Sequence, residues 1–190
     1  VVFETLFGLI GSCGLRLSEA VGLRNMDVDL EHGMLTIHRT KFGKSRQVPM
    51  HQSCIEALRR YRSMRDLSGE SAQDEAAFFV GTRGQRRGMP LSTHGVERVF
   101  AGLREQLGWR NRGAHHAPRI HDLRHTMVVR RVMLWHSQGV DIDQAMLALS
   151  TYVGHVNVTN TYWYLSAVPE LIALAAQRFD LALVERHEAP

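Results

Sequence analysis

The sequence predicts a mainly α-helical chain with one small antiparallel β-sheet, an α+β fold. Most of the chain carries apolar residues at helical spacing, bounded by residues that cap or interrupt helices. One short region instead alternates apolar and polar residues, turns, and returns as a second strand. The 190 residues are enough for a single domain with a sizeable core.

The helices are predicted from their spacing and their caps. Residues 1–12 form the first helix, which ends at Gly11 and Gly14, and Ser18 is expected to cap the second. Further helices are predicted over residues 53–66, 92–107, 118–138, 141–152 and 169–184. The helix over residues 53–66 is expected to carry a solvated or phosphate-contacting face of Arg59, Arg60, Arg62 and Arg65.

A β-hairpin is predicted over residues 33–50. Residues 33–40 alternate as a strand should, residues 41–45 turn the chain, and residues 46–50 return. Lys41 and Lys44 lie at the turn. A lysine at a hairpin tip commonly serves solubility, but a mobile loop can also bring its ammonium group to a leaving oxygen.

The composition indicates a soluble protein with a mild basic excess. Lys and Arg number 23 against 19 Asp and Glu, which gives a net charge of +4 and permits a nucleic-acid partner without demonstrating one. Two cysteines are too few for a disulfide framework, and no leader or membrane segment is present, so a cytoplasmic protein is expected. The chain starts without Met on an apolar helix, so we expect a fragment lacking an N-terminal partner domain.

Two short motifs suit a phosphate group. His121 and Arg124 are three residues apart near the start of a predicted helix, so both are expected on one face, where a proton carrier and a fixed cation could act together. Arg16 lies at a helix junction, where backbone N–H groups can face an anion, and Glu19 could hold its guanidinium in place. Each motif by itself is more often a solvated surface.

The last informative stretch contains His155 and Tyr164. Nine residues separate them, so one unbroken helix would place them on opposite faces. Asn157, Thr159 and Asn160 favour a break between them, which would allow both to serve one site. Tyr152 and Tyr162 are expected to pack in the core.

These motifs together resemble a known family. Gly14-Leu15-Arg16-Leu17-Ser18-Glu19, Lys41 to Pro49, His121-Asp122-Leu123-Arg124-His125, Gly154-His155 and Tyr164 resemble, in order and spacing, the catalytic domain of tyrosine recombinases, or phage integrases. The resemblance covers nearly the whole chain and implies that residues 1–190 are one catalytic domain, lacking the N-terminal DNA clamp.

The resemblance also implies the roles of single residues. Tyr164 would be the nucleophile, Arg16 and Arg124 the phosphate clamps, and Lys41 the general acid, while His121 and His155 would contact phosphate oxygens or assist proton transfer. Phe42 stands where glycine is frequent, so Lys44 remains an alternative acid, and Tyr162 an alternative nucleophile. The candidate DNA contacts outside the catalytic set are Arg83, Arg86, Arg87 and Arg119.

The implied reaction cuts and rejoins DNA through a 3′-phosphotyrosyl link, without metal or cofactor. The implied partners are double-stranded DNA and three further copies in a tetramer, with the helix over residues 170–183 exchanged between neighbours. Three alternatives stay open: relaxation of one duplex by a type IB topoisomerase, a non-catalytic DNA-binding module, and a zinc hydrolase. The last would use His121 and His125, which are four residues apart, with His115 and His116 nearby.

Overall fold

The computed structural model describes residues 1–38, 45–67, 73–111, 116–155, 157, 159, 161 and 162. These residues form six α-helices and a three-stranded antiparallel sheet, which confirms the predicted fold class. The helices are α1 Val2–Cys13, α2 Leu17–Val21, α3 Gln52–Leu67, α4 Thr93–Gln106, α5 Ile120–Ser137 and α6 Ile142–Val153. The strands are β1 Val28–Asp29, β2 Met34–Ile37 and β3 Arg46–Pro49. Among the helices of this described part, none is long and apolar enough to cross a lipid bilayer.

Helix ends with local signals in the sequence lie close to where they were predicted. Gly14 ends α1 in the left-handed conformation, with φ of 63°, and its N–H donates to the carbonyl of Ile10. Ser92 begins α4, and its hydroxyl accepts a hydrogen bond from the N–H of Gly95 at 3.1 Å. These two ends fix the loops that follow α1 and precede α4.

The start of α2 differs from the prediction. Arg16, not Ser18, is the residue before the first helical turn, and its backbone N–H donates to Glu19 Oε2 at 2.9 Å. A glutamate at the third helical position can satisfy this N–H by reaching back along the first turn. The helix therefore begins two residues earlier, directly at the candidate clamp residue.

The sheet contains the predicted hairpin strands and one strand that was not predicted. Strands β2 and β3 are antiparallel, with Leu35 opposite Val48, and both side chains are fully buried. The additional strand β1 pairs with β2 and is only two residues long, too short for an alternating pattern to reveal. The hairpin turn at residues 39–44 lies outside the described residues.

One arginine of α3 is buried, contrary to the expected solvated face. Arg65 is 2% exposed, and its guanidinium donates to the carbonyl of Phe78 at 2.8 Å and to Asn25 Oδ1 at 2.7 Å. The guanidinium also lies over the Phe78 ring, 5.3 Å from its centroid. Arg65 satisfies polar groups inside an aromatic core formed with Tyr61 and Phe79, so it has a structural role.

The chain divides into two compact units, residues 1–127 and 128–190. In the first unit, α1 packs against α2 and α3, and α2 packs against α4. Cys13 and Cys54 are both buried in this unit, as free thiols. The described part of the second unit contains the end of α5, helix α6 and the segment around His155.

Candidate active site

A charged cluster surrounds Glu19 in the first turn of α2. Glu19 Oε1 accepts hydrogen bonds from Arg16 Nη1 at 2.9 Å and from Arg46 Nη1 at 3.0 Å. Glu19 Oε2 accepts from the Arg16 backbone N–H at 2.9 Å and from Arg46 Nη2 at 2.9 Å. Both carboxylate oxygens are thus shared between the two arginines, and the Arg16 guanidinium is held on the side of α2.

The environment of Glu19 keeps its carboxyl ionised. Burial by itself would raise the pKa of Glu19, since its side chain is 7% exposed. The hydrogen bond from Arg46, the Arg16 backbone N–H and the charges of both arginines outweigh burial and lower this pKa below its usual value. Arg16 therefore faces an anion at neutral pH, while its own side chain remains 33% exposed.

Arg124 is anchored to the loop that carries Arg16. Its Nη1 donates to the carbonyl oxygen of Gly14, two residues before Arg16. Arg124 is 1% exposed, so its guanidinium is shielded from solvent, whereas that of Arg16 is not. The contact with Gly14 brings the two candidate phosphate clamps to the same short segment of backbone.

His121 and Arg124 do not share one surface as expected. Residue 121 is exposed, while Arg124 points into the protein. Three helical steps leave two side chains about 60° apart around the axis, enough to separate an edge position from a core position. At the edge, His121 borders a cavity of about 470 Å³ that Leu17, Phe100 and Arg104 also line.

His121 is neutral at neutral pH. The ring keeps some solvent contact, but neighbouring protein atoms displace part of its hydration, which disfavours the protonated form. The positive charges of His125 and Arg124 disfavour the protonated form as well. Together they lower the pKa of His121 from 6.5 to about 4. The ring centroids of His121 and His125 are 4.5 Å apart. His121 is therefore not a phosphate-binding cation in the DNA-free protein; its neutral ring can accept a hydrogen bond or a proton, but a pKa this low makes it a weak base.

The lowered pKa of His121 predicts a pH-dependent stability. Between pH 6.5 and about 4, the unfolded chain takes up a proton at residue 121 that the folded chain does not, so this residue lowers stability as the pH falls. Thermal unfolding of wild type and His121→Gln at neutral and at acidic pH should show a smaller acid-induced decrease in Tm for the variant. Equal decreases would show that His121 titrates normally in the folded protein.

The start of α5 is fixed by Asp122. Its carboxylate accepts from the Arg119 backbone N–H at 2.8 Å and from Arg119 Nη2 at 3.3 Å. This contact leaves the Arg119 side chain 65% exposed. The loop arginines predicted as DNA contacts are exposed as well; they are Arg83, Arg86 and Arg87. All four are therefore accessible to an anionic partner.

In the second unit, His155 is held by Thr161. Its Nδ1 lies 2.7 Å from Thr161 Oγ1, and its backbone N–H donates to the carbonyl of Ser150 at 2.9 Å. Thr161 is fully buried. Helix α6 ends at Val153, and the chain is helical again at Thr159, so the interruption begins before His155, whereas the sequence favoured a break after it, at Asn157, Thr159 and Asn160.

Several predicted site residues lie outside the described residues. They are Lys41, its alternative Lys44, the nucleophile candidate Tyr164 and the C-terminal segment over residues 170–183. Tyr162, the alternative nucleophile, is described and is half-buried in a helical segment. The roles of these residues stay predictions.

The proposed zinc site gains no third ligand from the described residues. His121 and His125 are close, but no group of three or more His, Cys, Asp or Glu side chains able to hold a metal ion occurs in the part of the chain that the structure describes. His115 lies outside that part. The positive charges of Arg119 and Arg124 also act on both histidines, which disfavours a bound cation there.

Sequence reasoning missed three groups that hold the candidate residues. They are the Arg46 side chain, the Gly14 carbonyl and the Thr161 hydroxyl. Arg46 stands in the segment used for the resemblance, and a charge on a predicted strand near a turn was a possible signal. The Gly14 carbonyl leaves no signal, because every residue has one.

Comparison with known proteins shows which family the chain is similar to. The model of the phage integrase family matches residues 2–170. The protein y4rB of Sinorhizobium fredii, named as an integrase/recombinase, is 39% identical over 178 residues. The match covers 94% of this chain and 55% of y4rB. Tyrosine recombinase XerC of Chlorobaculum tepidum is 34% identical over 167 residues, covering 86% of this chain and 43% of its own. The chain thus spans about half the length of these relatives.

Solved structures show the same fold. The crystal structure of XerA recombinase superposes with a TM-score of 0.65 at 22% identity, covering 100% of this chain and 64% of that one. XerH recombinase bound to a palindromic difH substrate, a post-cleavage complex, gives a TM-score of 0.58 at 24% identity, covering 94% of this chain and 46% of that one. By its sequence and its fold, the chain belongs to the phage integrase family of tyrosine recombinases.

Proposed function

We propose that this chain is the catalytic part of a site-specific DNA recombinase, which cuts and rejoins DNA strands by transesterification. The observation that carries the proposal is that Arg124 donates to the carbonyl of Gly14, two residues before Arg16, whose own guanidinium is held by Glu19, in a chain of this family. Two guanidinium groups held on one segment suit a phosphodiester, because their fork-like donors match phosphate oxygens.

In the proposed reaction, Tyr164 Oη attacks a DNA phosphorus. The new Oη–P bond forms as the P–O5′ bond breaks, which leaves a 3′-phosphotyrosyl link and a free 5′-hydroxyl. His121, neutral at neutral pH, accepts the phenol proton or passes it to solvent, and Lys41 protonates the leaving O5′. The link retains the energy of the phosphodiester, so a 5′-hydroxyl of another strand can reverse the step without ATP.

Arg16, Arg124 and His155 would stabilise the charge that grows on the non-bridging oxygens during transfer. Such donors act strongly because they are placed before the reaction begins and need no rearrangement. Glu19 and Gly14 fix the two arginines in advance, and Thr161 does so for His155. This proposal explains why each candidate donor has a hydrogen-bond partner that holds it.

The proposed partner is double-stranded DNA. The exposed arginines are Arg83, Arg86, Arg87 and Arg119, and they would contact the phosphate backbone. XerH and a Tn1549 transposon integrase, both with this fold, are bound to DNA in their structures. The working assembly would be a tetramer in which residues 170–183 are exchanged between neighbouring copies.

The test is covalent trapping on a suicide substrate. The intact protein is incubated in EDTA with a duplex of its own site, nicked so that the 5′-hydroxyl fragment diffuses away and cleavage cannot be reversed. We expect a denaturant-resistant protein–DNA complex joined at a 3′ end. Failure of the intact protein to form this complex on its own site would contradict the proposal.

Strand exchange must be separated from relaxation of a single duplex, since both use a phosphotyrosyl link. Two duplexes of different length, one of them labelled, are incubated with the protein. Recombination predicts labelled products of new length. Relaxation of supercoiled plasmid without any such product would assign a topoisomerase activity instead.

A further inference from the structure

We propose that Arg46 is a positioning residue, which holds the Arg16 guanidinium in its working orientation through the shared carboxylate of Glu19. The inference rests on the proposed role of Arg16 as a phosphate clamp. It gives a function to a residue of β3 whose guanidinium donates to Glu19 through both Nη atoms.

The contacts around Glu19 carry this inference. Each carboxylate oxygen accepts one hydrogen bond from Arg16 and one from Arg46, all four between 2.9 and 3.0 Å. A carboxylate bound from two sides cannot rotate without breaking bonds to both arginines. Arg46 therefore fixes the plane of the carboxylate, and that plane fixes the position of Arg16 Nη1.

Burial assigns different tasks to the two arginines. The side chain of Arg46 is 9% exposed and that of Glu19 is 7% exposed, whereas that of Arg16 is 33% exposed. Both Arg46 Nη1 and Arg46 Nη2 donate to Glu19, whereas the guanidinium of Arg16 donates to that carboxylate through Nη1 and is the more exposed of the two. Arg46 therefore holds Glu19 from the buried side, and Arg16 is the more exposed arginine bonded to it.

The other charged side chains around Glu19 contact a different carboxylate. Glu19 lines a polar cavity of about 700 Å³ together with Arg24, Asp27 and His38. Arg24 is paired with Asp27 at 3.0 Å, and His38 lies 3.0 Å from Asp27, so these charges are directed at Asp27. The cations in hydrogen-bond contact with Glu19 in the described residues are Arg16 and Arg46.

Loss of Arg46 would change the protonation of Glu19. Burial raises the pKa of this carboxyl, and the hydrogen bond from Arg46 is the strongest effect opposing burial. Without Arg46 the pKa of Glu19 rises, so Glu19 is protonated at a higher pH than in the wild type and then no longer pairs with Arg16 as an anion. Arg16 would then lose its anchor in a pH range where the wild type retains it.

The kinetic test compares Arg46→Met and Arg46→Lys with wild type by single-turnover cleavage of the suicide substrate. For Arg46→Met we expect a rate about tenfold lower at neutral pH, as for other residues that orient a functional group. We also expect the acid limb of the pH–rate profile of Arg46→Met to shift to higher pH. In Arg46→Lys, which keeps the positive charge, we expect the acid limb to lie close to its wild-type position. Rates are compared well below the Tm of each variant.

Arg24→Met is the matched control. Like Arg46, Arg24 pairs with a buried carboxylate beside the same cavity, but that carboxylate is Asp27. We expect this variant to lose stability and to keep the wild-type pH–rate profile. A parallel decrease in rate at every pH for Arg46→Met, or the same shifted acid limb in Arg24→Met, would overturn the positioning role.

A second measurement needs no cleavage. The order of the Arg16 Nε–H bond is followed by ¹⁵N NMR relaxation in the intact, DNA-free protein, with the resonance assigned from Arg16→Lys. We expect this order to fall in Arg46→Met and to be largely kept in Arg46→Lys. Unchanged order in Arg46→Met would refute the inference even if cleavage by that variant is slow. If wild type cleaves no DNA, the proposed function fails, while this relaxation result still decides the role of Arg46.

Discussion

Tyr164→Phe is expected to abolish the covalent protein–DNA complex, whereas Tyr162→Phe is expected to keep it. Phenylalanine preserves the ring but removes the oxygen that would attack phosphorus. Because the nucleophile has no substitute in the reaction, we expect cleavage to fall at least about a thousandfold. The measurement is the suicide-substrate assay, with the complex resolved on a denaturing gel.

Tyr162 is the matched control because it lies two residues away and carries the same oxygen. It directly follows Thr161, which is fully buried and holds His155, and it is itself half-buried. Its ring is therefore expected to support the segment that bears His155, with a modest loss of stability in Tyr162→Phe. A covalent complex that survives in Tyr164→Phe and disappears in Tyr162→Phe would reverse the two assignments.

Arg124→Met is expected to impair both cleavage and folding. Removal of one preorganised donor commonly lowers a rate about 10²- to 10³-fold. The substitution also leaves the Gly14 carbonyl without the Arg124 donor in a buried place, which costs about 1–3 kcal/mol of unfolding free energy. Single-turnover cleavage measures the first effect and urea denaturation the second.

Two further variants separate the causes of the Arg124→Met defect. Arg124→Lys keeps the charge but not the fork-like donors, so we expect it to recover part of the stability and little of the cleavage. Arg119 is exposed and directly precedes α5, so we expect Arg119→Met to change the free energy of unfolding by at most about 0.5 kcal/mol. An Arg124→Met protein as stable as wild type would show that the contact with Gly14 is dispensable for folding.

The sequence could predict the elements whose signals are local. Gly14 at the end of α1 and Ser92 at the start of α4 act within a few residues, and both helices lie close to their predicted positions. The hairpin strands β2 and β3 follow from alternation in the same way. Such features depend on the backbone and its nearest neighbours, and these can be read from the chain directly.

The contacts that fix the candidate site were not predictable in this way. Arg46 reaches Glu19 across 27 residues, and no local pattern indicates which carboxylate a strand arginine will meet. Arg65 was expected on a solvated face, since its neighbours on α3 are charged, but the packing of Phe78 placed it in the core. The resemblance to a family supplied the candidate residues, and the folded structure supplied the groups that hold them.

The hydrogen bond between Arg124 and Gly14 also bears on when the protein can act. It joins residues 110 positions apart in the chain. A contact of such long sequence separation closes late in folding, because the loop between its ends must first lose its conformational freedom. A chain that is still being synthesised, or that is locally unfolded, therefore lacks the contact that brings Arg124 to the segment of Arg16. The ability to break DNA would arise only in molecules whose first unit is already complete.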